Sequence, residues 1–104
     1  MRQTKKPKLV RDNIPEIIFV NGGKCKFRIL SDNDKYYSFL IKKLDEEVCE
    51  YKDSNNPDEL CDILEVIHAI ADYHGVDFKD IEKKRKQKLK ERGGFKKRIV
   101  LEDW

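Results

Sequence analysis

Four carboxylates stand in two pairs of equal spacing: Glu47 and Glu50 within Glu46-Glu47-Val48-Cys49-Glu50, and Glu59 and Asp62 within Glu59-Leu60-Cys61-Asp62. Residues three apart are neighbours on a helix surface, so each pair aims two acidic groups at one point. Carboxylates held together repel one another, and a hard divalent cation such as Mg²⁺, which prefers oxygen ligands, is the simplest partner for four of them. The plain alternative is a solvated acidic face, since Glu is a good helix former that favours exposure.

The elements needed to position these groups can be read from caps and periodicity. Asn55-Asn56-Pro57 breaks the chain between the two pairs, with Asn56 as an N-cap and Pro57 at the first position of a second helix. Before this break, Ser31 or Asp32 caps a long helix running to about Asp53, with an apolar stripe of Tyr37, Leu40, Ile41, Leu44, Val48 and Tyr51. Beyond the break, Leu60, Ile63, Leu64, Ile67, Ile70, Ala71 and His74 share one face of a helix that stops at Gly75. A link this short makes the two helices antiparallel neighbours, which brings the pairs to similar heights. On the first helix Glu47 and Glu50 border the apolar stripe, whereas Glu46 points to water. Glu65, one turn beyond Asp62, either binds the ion or orients a water.

Pro15 starts a short helix through Val20 that the Asn21-Gly22-Gly23 turn closes, and Asp77 caps a third long helix to about Arg92, ended by Gly93-Gly94. Lys24 to Leu30 alternates basic and apolar residues in strand fashion, and Ile99-Val100-Leu101 within Phe95 to Glu102 offers it a partner. The expected fold is therefore mainly α, with a short two-stranded β element, in a single domain over residues 1–104.

Composition narrows the classes. Of the residues, 38% are apolar and 41% charged, a small core that oligomerisation would complete. The net charge of +3 hides an asymmetry: Leu44 to Glu65 holds nine acidic residues against one basic, and Lys83 to Arg98 ten basic against one acidic. An acidic cluster for a metal and a basic arm for an anion suit one metal-bound polyphosphate. The three cysteines, Cys25, Cys49 and Cys61, form no CxxC pattern and read as reduced side chains of a cytoplasmic protein. Met1 to Lys8 is basic with no apolar run behind it, so neither a signal peptide nor a membrane span is expected.

The acidic pattern resembles the EExxE…ExxD signature of the all-α nucleoside triphosphate pyrophosphohydrolases, a group that includes MazG-like enzymes, dimeric dUTPases and phosphoribosyl-ATP pyrophosphohydrolases. Lys8-Leu9-Val10-Arg11-Asp12-Asn13-Ile14-Pro15-Glu16-Ile17-Ile18 and Glu91-Arg92-Gly93-Gly94-Phe95 resemble the terminal motifs of a stand-alone, phosphoribosyl-ATP pyrophosphohydrolase-like MazG branch. One departure is that only eight residues separate Glu50 from Glu59, fewer than in most MazG proteins. The resemblance implies a helical bundle completed by pairing into a homodimer or higher oligomer. It implies Mg²⁺-dependent cleavage of the α–β bond of a nucleoside triphosphate to monophosphate and pyrophosphate, with Mn²⁺ as a substitute ion. Glu47, Glu50, Glu59 and Asp62 are then the catalytic metal ligands. Lys8, Arg11, Lys88, Arg92, Gly93 and Gly94 are candidates to hold the substrate phosphates, the glycines allowing close approach.

The basic helix lacks the interleaved exposed aromatics of a nucleic-acid module, so nucleic acid is not an expected partner. His74 reads as a core or helix-end residue, and His68 projects from another face, so the two form no metal pair. Tyr36, Tyr37, Phe39 and Tyr51 read mainly as core. The competing readings are phosphoribosyl-ATP hydrolysis in histidine biosynthesis, a non-catalytic helical protein that binds nucleotide or a partner, and a basic-helix nucleic-acid binder.

Overall fold

Four helices succeed one another in a computed structural model that describes residues 6–104: α1 (Ile14–Val20), α2 (Asn33–Ser54), α3 (Glu59–Tyr73) and α4 (Phe78–Arg92). Residues 1–5, which carry part of the basic amino-terminal run, lie outside the described residues. The chain divides into two compact units, 1–70 and 71–104.

In the first unit, α1 begins with Pro15 in its first turn, where a missing N–H costs nothing. It closes through Asn21 N–H donating to Ile17 O and Gly23 N–H donating to Ile18 O. Gly22 takes φ 84°, and a Cβ on Gly23 would lie 2.9 Å from the Ile18 side chain, so each glycine has its own reason. α2 is capped by Asp32, whose carboxylate accepts from the N–H groups of Asp34 and Lys35. It ends at Asn55 in the left-handed region, φ 54°, with the Asn55 N–H on Tyr51 O.

The link into α3 departs from expectation. Asn56 does accept, at Oδ1, from the Asp58 N–H, but Pro57 is not the first residue of the regular helix. Short-range bonds from Glu59 to Asn56 and from Leu60 to Pro57 tighten this stretch into a turn, and α3 starts at Glu59. The inward face of α3 also differs. Val66 is buried, while Leu60 and Leu64 are 47% and 51% exposed. This helix has more apolar residues than one stripe can hold, so periodicity alone misplaces the centre of the face. On α2 the expected stripe holds: Leu40 is buried, and Tyr37, Ile41, Leu44, Val48 and Tyr51 are half-buried.

In the second unit, the end of α3 is a Schellman motif: Val76 N–H donates to Ala71 O, and Gly75 N–H, at φ 69°, donates to Asp72 O. Asp77 caps α4 through the Lys79 N–H, and the Gly93 N–H returns to Leu89 O. His74 lies exposed just past the helix end, its ring set edge-on to Tyr73.

The two-stranded element is a correction, for there is no strand among the described residues. Lys24 to Leu30 forms no ladder and leaves Ile29 88% exposed. Phe95 to Arg98 instead forms a turn, with Arg98 N–H on Phe95 O and Arg98 at φ 58°. An isolated strand pair is marginal in water, and both segments are basic, with Lys24, Lys26 and Arg28 in one and Lys96, Lys97 and Arg98 in the other. The observed fold is thus mainly α, and no described helix is long and apolar enough to cross a membrane.

Candidate metal centre

Glu47 is the buried charge among the described residues, 5% exposed on α2. It lies one turn beyond Leu44 and so turns inward with the apolar stripe. Carboxylates are rarely buried without a partner, because the charged form loses its hydration. One of the Glu47 oxygens is matched by Lys43, one turn earlier, whose Nζ stands 3.1 Å from Glu47 Oε1 and donates also to Glu46 Oε2. The other oxygen, Glu47 Oε2, is buried with no hydrogen-bond partner.

Around this carboxylate the acidic side chains fall into two groups. Glu47, Glu59 and Asp62 bring one ligand oxygen each within 4.8 Å of one another, joining α2 to α3. Glu46, Glu47 and Glu50 do the same along α2 alone. The four expected residues do not fall in one such group: they divide between two overlapping trios that share Glu47, with Glu50 apart from Glu59 and Asp62. Glu65 is exposed and belongs to neither.

Glu46 corrects the helix-face count. Instead of pointing to water it is half-buried, and Lys8 Nζ lies 3.7 Å from its Oε1 while Lys43 holds its Oε2. Burial works to raise its pKa, but the Lys43 and Lys8 ammonium groups outweigh that and hold it below 4.5. For Lys43, burial works downward and is outweighed by Glu46 and Glu47, which lift it above 10.5. Sequence reading passes over Lys43, although its i,i+4 spacing to Glu47 is a visible signal.

Lys8 and Arg11 reach the acidic residues from the chain before α1. Arg11 Nη2 donates to Asp62 Oδ1 at 2.8 Å, and both basic groups are more than half exposed. Lys88, Arg92, Gly93 and Gly94 belong to the second unit, where all are exposed.

Glu50 is exposed, yet its pKa is raised above 4.5, first by loss of hydration, then by the charge and side-chain contact of Glu47, and after these by the charges of Glu59 and Glu46. A raised folded-state pKa means that ionised Glu50 destabilises the fold at neutral pH, and that this cost fades as pH falls through the folded value towards 4.5. Glu50→Gln is expected to raise the Tm of the metal-free protein at neutral pH by about 1–3 °C, a small effect because solvent screens the group. The gap from wild type should shrink on acidification. Thermal scans across that range check it, and a gap independent of pH would refute it.

No family model matches the chain, and no solved structure matches it. An uncharacterised protein of Mycolicibacterium smegmatis (strain ATCC 700084 / mc(2)155) is 48% identical over 50 residues, which make up 48% of this chain and 50% of that protein. The chain thus matches half the length of that relative.

Proposed function

We propose that this protein is a Mg²⁺-dependent nucleoside triphosphate pyrophosphohydrolase, cleaving the α–β bond to give monophosphate and pyrophosphate. The observation that carries the reading is Glu47 Oε2, a buried, unpartnered carboxylate oxygen on the residue shared by both acidic trios. An all-oxygen donor set of Glu47, Glu59 and Asp62, bordered by Glu50, fits a hard cation. The resemblance of the acidic signature and the terminal motifs to MazG-like enzymes supports the same chemistry.

When bound, such an ion neutralises phosphate charge and acidifies a coordinated water, which is most of what phosphoryl transfer asks of a protein. The chain's own groups do the rest. Glu47, Glu59 and Asp62 hold the ion at the junction of α2 and α3. Glu50, at the exposed edge, orients the attacking water and accepts its proton. Water oxygen bonds to the α-phosphorus, the bond to the α–β bridging oxygen breaks, and pyrophosphate leaves. Lys8 and Arg11 supply positive charge beside the acidic cluster, where they can meet substrate phosphates. A second copy of the chain completes the pocket by covering Leu60 and Leu64, which flank the acidic row of α3 and are half exposed.

The test is a panel of canonical and modified triphosphates with Mg²⁺, read out as pyrophosphate release. At least one substrate should turn over, and Glu59→Gln and Asp62→Asn should each lower its rate by at least about 100-fold. Full activity in both variants would remove these residues from the reaction.

A further inference from the structure

The two acidic trios share Glu47 but differ in what they already hold. In Glu46-Glu47-Glu50, the Lys43 ammonium sits between Glu46 Oε2 and Glu47 Oε1, and its side chain is only 15% exposed. Lys8 approaches the remaining oxygen of Glu46 at 3.7 Å. Both oxygens of Glu46 and one of Glu47 are therefore committed to cationic nitrogen. In Glu47-Glu59-Asp62, Arg11 touches one oxygen of Asp62 from an exposed position, and Glu47 keeps a second oxygen, Oε2, that is buried without a hydrogen-bond partner.

We propose that Lys43 is a resident monovalent cation filling the first trio, so that the cluster takes a single divalent ion, held by Glu47, Glu59 and Asp62. The inference rests on the metal-binding reading above and deepens it. Its physical basis is charge and geometry. Paired divalent ions at a shared carboxylate sit about 3.5–4 Å apart and need ligands enough to offset their mutual repulsion. An ammonium offers one positive charge with three N–H donors on a fixed tether, and it is already matched to two carboxylates. A second ion would have to expel it from a largely buried position, leaving a protonated lysine with no counter-charge. By holding Glu47 Oε1, Lys43 also leaves Oε2 as the oxygen available to an ion, which makes it a positioning residue for the ion that does bind.

Mn²⁺ binding to the full chain, counted by calorimetry and electron paramagnetic resonance, tests this directly. Wild type is expected to bind one Mn²⁺ per chain with a mononuclear signal, Lys43→Arg to keep that count, and Lys43→Met to bind two with a spin-coupled signal. A spin-coupled pair in wild type overturns the role of Lys43 while leaving the metal site standing, and it needs no variant to be folded. A count of one in folded Lys43→Met also overturns it. No Mn²⁺ binding in wild type overturns the metal-binding reading and the inference together.

Discussion

Glu47→Gln is expected to abolish divalent-cation binding and to lower pyrophosphate release by about 1,000-fold or more. No other substitution at the cluster reaches so far, because Glu47 alone belongs to both trios and alone is buried. The change is nearly isosteric, and the amide oxygen still accepts from Lys43, so the geometry of α2 is retained. What disappears is the negative charge that a hard cation needs. The new NH₂ group can donate to neighbouring carboxylates, which removes the cost of the unsatisfied Oε2. The variant should therefore match or exceed wild type in thermal stability without metal and should lack the Tm increase expected of wild type with Mg²⁺. Scans with and without Mg²⁺, beside the pyrophosphate assay, measure both effects. A Mg²⁺-dependent Tm shift of wild-type size in the variant would place the ion elsewhere.

Leu40→Ala should destabilise the fold by about 2–5 kcal/mol, the cost of a large cavity in a packed site. Leu40 is 1% exposed and is the only large side chain fully buried among the described residues. Small domains are typically stable by only about 5–15 kcal/mol, so this one change consumes much of the margin. Denaturant midpoints and a Tm lowered by at least about 10 °C are the readouts. Leu101→Ala, at a position 63% exposed, serves as the control and should move stability by less than about 0.5 kcal/mol. A loss below about 1 kcal/mol at Leu40 would mean that the core lies elsewhere.

Local signals are the legible ones. Asp32 and Asp77 as caps, Gly75 as a helix stop and Pro15 in a first turn are short-range chemistry, and each stands where its residue type says it should. The proximity of Glu47, Glu59 and Asp62 is also readable, because a short turn and i,i+3 spacing leave little freedom. Less legible are properties that depend on what lies opposite. The inward turn of Val66 depends on the face α3 meets, not on its own sequence. Glu46 is drawn in by two lysines, and one of them, Lys8, arrives from before α1, where no helical-wheel count of α2 can register it. The lack of strands among the described residues reflects the same gap: alternation shows which residues could line a strand face but not whether a partner strand lies beside it.

The turn at Asn55–Asp58 also bears on the order in which the molecule assembles. Glu47, Glu59 and Asp62 belong to one local hairpin, so closing that loop sacrifices little chain entropy. The cationic contacts are remote by comparison, since Arg11 meets Asp62 across 51 residues. A short loop closes at lower entropic cost than a long one, so the hairpin is expected to form first. The nascent hairpin therefore meets its own repulsion before Arg11 arrives to soften it, and Lys43, carried on the same helix, is the counter-charge present from the start. On the proposed metal-binding reading, dissolved divalent salt would act on this early species as well as on the finished fold, making the ion a participant in folding as much as a ligand of the native state.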